Sequence, residues 1–214
     1  MFDCDGTLVD SQHLIIDAMK VTFETHGLPP APADAVRHIV GLSLGEAIAA
    51  LAPGVAPADL ALLVDRFKQT FQAMRRQPLF HEPLFEGARE TLQALDRRGH
   101  VLGIATGKSD RGLASVLEHH ALAGLFVSLQ TADRHPSKPH PGMLEAAMRE
   151  TGSEPHETWM VGDTSYDMLM AGAAGVRAIG VGWGYHPIAT LEQAGADIIV
   201  DRFDRLLALV AEPA

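Results

Sequence analysis

A chain of 214 residues, with 47% hydrophobic and 21% charged side chains, is long enough for one full globular core or a core carrying a compact insertion. Its 27 acidic against 17 basic side chains give a net charge of −10, which excludes the basic stripe that nucleic acid requires and disfavours anionic membranes. The lone Cys4 permits no internal disulfide, and the sequence has neither a membrane-length apolar run nor a positively led signal segment. These features predict a soluble cytoplasmic protein, monomeric or homodimeric, with no nucleic-acid or membrane partner.

In chain order, the first element is a strand end. Met1-Phe2 lead at once into Asp3-Cys4-Asp5-Gly6-Thr7. If the carboxylates close a buried strand, which ordinarily takes about five or six residues, nearly all of that strand is missing. Either the start lies too late or the strand is unusually short.

Residues 12–81 carry helical periods and turn signals but no strand pattern. Helices are predicted over 12–26, near 43–51 and over 57–76. Pro29, Pro30 and Pro32 separate the first two, and Pro53-Gly54 the next. The segment holds six basic and six acidic side chains, so the acidic excess falls on the remainder, with 21 acidic against 11 basic. An all-helical block between a first strand and a later βα series reads as an inserted cap over 12–81, with the core formed by 1–11 and 82–214.

From residue 84 the pattern alternates helix and short apolar strand, the signature of a parallel sheet covered on both faces. Strands are predicted over 101–105, 127–130, 158–161, 177–181 and 198–200. Helices are predicted over 87–98, 110–120, 141–151, 165–174 and 203–210. The expected fold class is α/β, a Rossmann-like three-layer parallel sheet with an inserted all-helical cap.

Several strand ends carry chemistry. Asp3 and Asp5 are two apart, so on a strand they share one side while Cys4 takes the other. Paired carboxylates repel unless a proton or cation lies between them, so the pair implies a raised pKa, a divalent metal or, more plainly, a solvated acidic turn. Thr106-Gly107-Lys108 follows an apolar strand and precedes a helix, a junction that offers a hydroxyl and backbone N–H groups to an anion or serves as an ordinary helix cap. Lys138 sits in Pro136-Ser137-Lys138-Pro139-His140-Pro141, a stiff loop able to hold an ammonium over an anion. Asp163 and Asp167, in Gly162-Asp163-Thr164-Ser165-Tyr166-Asp167, offer oxygen ligands to a hard cation or cap the following helix.

Together these four strand ends resemble the four motifs of the haloacid dehalogenase superfamily, and the insertion between the first and second resembles the type 1 cap of its phosphoglycolate-phosphatase-like branch. The run Gly182-Trp183-Gly184-Tyr185-His186-Pro187 is similar to a segment of that branch. The resemblance implies a Mg²⁺-dependent phosphatase for a small phosphorylated metabolite such as phosphoglycolate. Asp3 would be the nucleophile that forms an aspartyl-phosphate, and Asp5 the acid and base. Asp3, the Asp5 carbonyl and Asp163 would hold Mg²⁺. Thr106, Gly107 and Lys138 would bind the phosphoryl oxygens, with Asp167 orienting Lys138 or a metal-bound water.

Dehalogenases resemble this chain but lack the second aspartate. Phosphomutases of the β-phosphoglucomutase type are similar too, yet usually carry a histidine ten positions after it, where this chain has Ile15. A pyrophosphatase of the superfamily and a receiver-like phospho-accepting module remain as alternatives. Substrate choice is expected to lie with the cap, through Arg37, His38 and Gly41; Arg37 suits a substrate carboxylate or second phosphate and equally a surface position. The Pro-rich spacing of His135 and His140, with His186 further on, fits no standard zinc pattern. Gly180, Gly182 and Gly184 lack dinucleotide-binding spacing, Cys4 reads as a buried strand thiol, and Met160, Met168 and Met170 read as core.

Overall fold

The computed structural model describes residues 1–77 and 80–210; positions 78–79, within the segment assigned to the cap, and 211–214, at the end of the core, lie outside the described residues. Four helices follow the opening segment: α1 (Gln12–Thr25), α2 (Ala33–Ile39), α3 (Leu44–Leu51) and α4 (Pro57–Arg75). Pro57 takes the first turn of α4, where its missing N–H costs nothing. α2 is absent from the sequence-based expectation because prolines crowd its start and it spans only 7 residues. These helices share a hydrophobic cluster of their own, with Met19, Phe23, Val36, Ile39, Ile48 and Leu63 buried in it.

The remaining elements alternate: α5 (Ala88–Arg97), β1 (Leu102–Thr106), α6 (Asp110–His119), β2 (Phe126–Thr131), α7 (Gly142–Thr151), β3 (Trp159–Gly162), α8 (Ser165–Ala174), β4 (Arg177–Val181), α9 (Ile188–Gln193), β5 (Ile198–Val200) and α10 (Leu206–Leu209). β1 pairs with β2, and β3 with β4 with β5, all parallel. α9 was not foreseen, and the helix expected over 203–210 is a 3₁₀ turn, Phe203–Arg205, running into the short α10.

The two sets of strands are joined by the opening residues. Phe2 bridges Ile104 of β1 on one side and Val161 of β3 on the other, both in parallel. Its ladder is complete: Phe2 N donates to Gly103 O, Asp3 N to Val161 O, Ala105 N to Phe2 O and Val161 N to Met1 O, all at 2.8–2.9 Å. The opening residues thus form a central three-residue segment hydrogen-bonded to both neighbouring strands.

Successive sheet residues face opposite layers. Phe2, Ile104, Val161 and Ile179 meet α5, α6 and α10, whereas Ala105, Met160 and Ala178 meet α7, α8 and α9. Burial on both faces explains why the strands read as continuous apolar runs. Among the described residues no helix is long and apolar enough to cross a membrane.

Candidate active site

The carboxyl ends of the central segment, β1 and β3 point to one rim, where open α/β sheets place their ligands. Asp3 closes the central segment and is 1% exposed. The Lys138 ammonium, itself 0% exposed, lies 2.8 Å from Asp3 Oδ1 and 2.6 Å from Asp167 Oδ1. The second oxygen of Asp167 accepts from Thr164 N at 3.0 Å and Thr164 Oγ1 at 2.8 Å, a capping box that starts α8. Asp163, just past β3, accepts from Thr7 Oγ1 at 2.8 Å and from Tyr185 N at 2.9 Å.

Asp3, Asp163 and Asp167 each offer a carboxylate oxygen, all within 4.8 Å of one another. Burial pushes Asp3 up to about 6 against the pull of Lys138, with Asp167 adding to the rise. Burial, followed by the charges of Asp3 and Asp167, holds Asp163 well above the usual carboxylate range. Asp3 Oδ1 meets the Lys138 ammonium, whereas the buried Oδ2 has no hydrogen-bond partner among the described residues. Three carboxylates beside one ammonium, with one orphaned oxygen on Asp3, fit a hard divalent cation such as Mg²⁺, which takes oxygen ligands.

Asp5 is turned another way. Its Oδ1 accepts from Lys108 Nζ at 2.6 Å and from Ser11 Oγ, leaving Oδ2 without a protein partner among the described residues. Lys108 also reaches Glu82 Oε1 at 3.2 Å, and Glu82, 3% exposed, takes Arg75 Nη2 of α4 at 3.2 Å. A buried chain of charges thus runs from Asp5 through Lys108 and Glu82 to the helical insertion. Lys108 and Glu82 went unassigned from sequence. Lys108 had a signal, since it adjoins Thr106-Gly107; Glu82 had none.

A cleft of about 830 Å³ lies between this rim and α1–α4, lined on the rim side by Asp3, Asp5, Thr106 and Gly107. Gly107 is needed for closeness: a methyl there would overlap the Leu42 and Gly41 carbonyl oxygens of the turn before α3. Gly41 lines the cleft with φ of 101°, a left-handed value that suits glycine. Arg37 and His38 do not join the lining. Arg37 Nε donates to Gln12 Oε1 at 3.0 Å and its guanidinium pairs with Asp34. The His38 ring stacks on His186 at 4.8 Å, and its carbonyl accepts from His186 Nε2 at 3.0 Å.

The 182–187 run braces the rim. Trp183 Nε1 donates to Thr7 O at 3.1 Å, Ser11 N donates to Tyr185 Oη at 3.0 Å, and Ser165 N donates to His186 Nδ1 at 3.1 Å. A methyl at Gly184 would overlap Asp163, as would one at Gly6. His135 pairs with Gln130 Oε1 at 2.7 Å, and His140 Nδ1 accepts from Gly142 N at 3.1 Å. Cys4 is fully buried, and burial raises its thiol well above the usual range. Met160, Met168 and Met170 pack in the cluster beneath α7 and α8.

Residues 1–181 match the model of the haloacid dehalogenase-like hydrolases. The chain is 31% identical over 211 residues to a pyrophosphatase of Bacillus pumilus, covering 98% of this chain and 94% of that protein. It is 30% identical over 225 residues to a phosphoglycolate phosphatase of Pseudomonas putida, covering 100% of this chain and 80% of that one. Among solved structures, a hydrolase from Pseudomonas syringae superposes with a TM-score of 0.84 at 25% identity, over 97% of this chain and 94% of that one.

Proposed function

The chain belongs to the haloacid dehalogenase-like hydrolase family and is a phosphatase-type hydrolase; from that premise we propose that it is a Mg²⁺-dependent phosphatase that cleaves a small phosphomonoester, phosphoglycolate or a similar organic phosphate, through an aspartyl-phosphate on Asp3. One observation carries the reading: the buried Asp3–Asp163–Asp167 cluster with Lys138 at its centre shares a rim with Asp5, and Asp3 and Asp5 open onto one cleft. In this reading residues 1–11 and 82–214 form the catalytic core and 12–81 the cap.

Asp3, the Asp5 carbonyl and Asp163 would hold Mg²⁺, which supplies charge neutralisation to the phosphoryl oxygens. An Asp3 carboxylate oxygen forms a bond to phosphorus while the bond from phosphorus to the ester oxygen breaks. Asp5 gives that leaving oxygen a proton, then takes one from the water that attacks phosphorus and frees Asp3. Because Lys108 and Ser11 occupy Asp5 Oδ1, the proton is carried by Oδ2. Lys138, fixed by Asp167, with Thr106 Oγ1 and the Gly107 N–H, binds the transferring oxygens. The cap excludes water during the first transfer and admits it for the second.

The test is phosphate release from an aryl phosphate with Mg²⁺ present. Wild type turns over many times, Asp3→Asn loses about a thousandfold or more, and EDTA abolishes the rate. Activity that ignores both changes sinks the mechanism, and a single stoichiometric phosphorylation points instead to a phospho-accepting module. Ile15 lines the cleft at the position where the mutases carry their histidine, which supports hydrolysis over phosphoryl transfer between substrate positions.

A further inference from the structure

α4 turns one stripe toward the cleft, and its character changes along the helix. Val64, Phe67 and Phe71, at i, i+3, i+7, are apolar; Lys68, Gln72 and Arg76, the last just past the helix, follow at i, i+4, i+8 and line the cleft beside them. Across from them Arg111, in the first turn of α6, lines the cleft from the core side.

The charges of these residues are not balanced by the protein. Lys108 and Arg75 are neutralised by Asp5 and Glu82, but among the described residues Lys68, Arg76 and Arg111 have no acidic partner. With its oxygen turned toward them, the Gln72 amide accepts from Arg76 at 3.2 Å and from Arg111, so a neutral group draws two guanidiniums together. Asp133, a carboxylate in the same lining, is engaged by the Asp110 N–H at 2.9 Å. Converging guanidiniums repel unless an anion lies between them, and their fork geometry suits carboxylate or phosphate oxygens.

We propose that Lys68, Arg76 and Arg111 form a specificity subsite for a second anionic group on the substrate's leaving portion, with Phe67 and Phe71 along its carbon skeleton. The proposal rests on the phosphatase reading above, and it gives the recognition first expected of Arg37 to α4 and α6. Bound away from the reacting phosphorus, the second anion is held equally in ground and transition states, so the subsite acts on KM more than on kcat.

Three alkyl phosphates of one skeleton test it, bearing a hydroxyl, a carboxylate or a second phosphate, with an aryl phosphate alongside. Wild type should favour at least one anionic ester over the neutral one by about tenfold in kcat/KM, the effect of one charge-assisted pair. Preference for the carboxylate, for the phosphate or for both identifies the group taken, and each supports the subsite. In Arg76→Gln/Arg111→Gln the preference should collapse toward one, mainly through KM. Arg97→Gln, an exposed cation on α5 outside the cleft lining, should leave it intact. Lys68, Arg76 and Arg111 are all exposed, so their loss leaves the fold in place. Equal turnover of all three esters by wild type, or a preference that survives the double variant, overturns the inference. No phosphate from any ester, the aryl phosphate included, overturns the phosphatase reading and the subsite with it.

Discussion

Replacing Lys138 by Met removes the ammonium that lies 2.8 Å from Asp3 and 2.6 Å from Asp167, with all three side chains at 0–1% exposure. Asp163 lies in the same cluster, so the variant leaves three buried carboxylates facing one another. Removing one member of a buried ion pair costs about 3–5 kcal/mol, because the other charge stays buried without a partner. Against a total stability of about 5–15 kcal/mol this is roughly a fifth or more. At roughly 2–4 °C per kcal/mol for a chain of this size, Tm falls by about 6–20 °C. Urea unfolding at pH 7 in EDTA reads the loss as a lower midpoint with unchanged slope. The penalty shrinks at pH 5, since burial has pushed Asp3 up to about 6 and a proton there takes over the neutralising role. Adding Asp167→Asn to Lys138→Met should recover about 1 kcal/mol or more, because the two side chains couple directly. A loss below about 1 kcal/mol at pH 7, or no recovery in the double variant, refutes the idea that Lys138 neutralises this cluster.

Gly184→Ala forces a methyl onto Asp163, so the Mg²⁺ concentration for half-maximal activity should rise about tenfold or more, as when a ligand's support is disturbed; an unchanged Mg²⁺ titration argues against Asp163 as a ligand. Gly107→Ala drives a methyl into the Leu42 and Gly41 carbonyls and should lower kcat/KM about a hundredfold by misplacing the cap turn, while a wild-type value would show that this contact is dispensable. His120 gives a pH prediction. Its Nε2 sits 2.8 Å from the Glu82 carbonyl oxygen, and desolvation, aided by His119 and Arg89 and opposed by Glu82, lowers its pKa below 6.5. The unfolded chain then binds a proton that the folded chain refuses, so this stability is full above 6.5 and is lost as pH falls toward the folded pKa. The urea midpoint of wild type should therefore drop more steeply from pH 7 to 5.5 than that of His120→Gln; parallel profiles contradict the assignment.

The alternation of apolar strand and amphipathic helix after residue 84 was legible because each strand is buried on both faces and therefore reads as a continuous apolar run. α2 was not, since Pro29, Pro30 and Pro32 mask its start and its 7 residues give barely two helical turns. The convergence of Asp3, Lys138, Asp163 and Asp167 was readable because their motifs together resemble those of a known family; the physical reason is that the rim of a parallel sheet collects the loops that leave its strands. Glu82 escaped for the opposite reason. It belongs to no strand end, and its partners Lys108 and Arg75 come from β1's exit and α4, a meeting that only the packing of cap on core creates. Arg37 shows the reverse error: its charge suited a substrate anion, but Asp34 one turn earlier and Gln12 on α1 claim its guanidinium first.

The net charge of −10 has a sharper meaning once distributed over the fold. A phosphorylated substrate approaches an acidic protein against a repulsive field, screened within about 10 Å at ordinary ionic strength. Asp3 lines the cleft, and with Asp163 and Asp167 buried behind it these carboxylates would add to that repulsion if a cation did not neutralise them. The cations in the cleft follow this gradient. Lys108, in the lining, and Lys138, buried behind it, are held against carboxylates; in the proposed mechanism Lys138 serves the reacting end. Lys68, Arg76 and Arg111 remain exposed, without carboxylate partners among the described residues, where an incoming anion first leaves bulk solvent. An electropositive mouth on an acidic molecule focuses anions into one opening. The rate of capture by wild type should then fall as salt rises, and do so more steeply than in Arg76→Gln/Arg111→Gln. Equal salt dependence of kcat/KM in the two proteins would show that the mouth plays no part in drawing the substrate in.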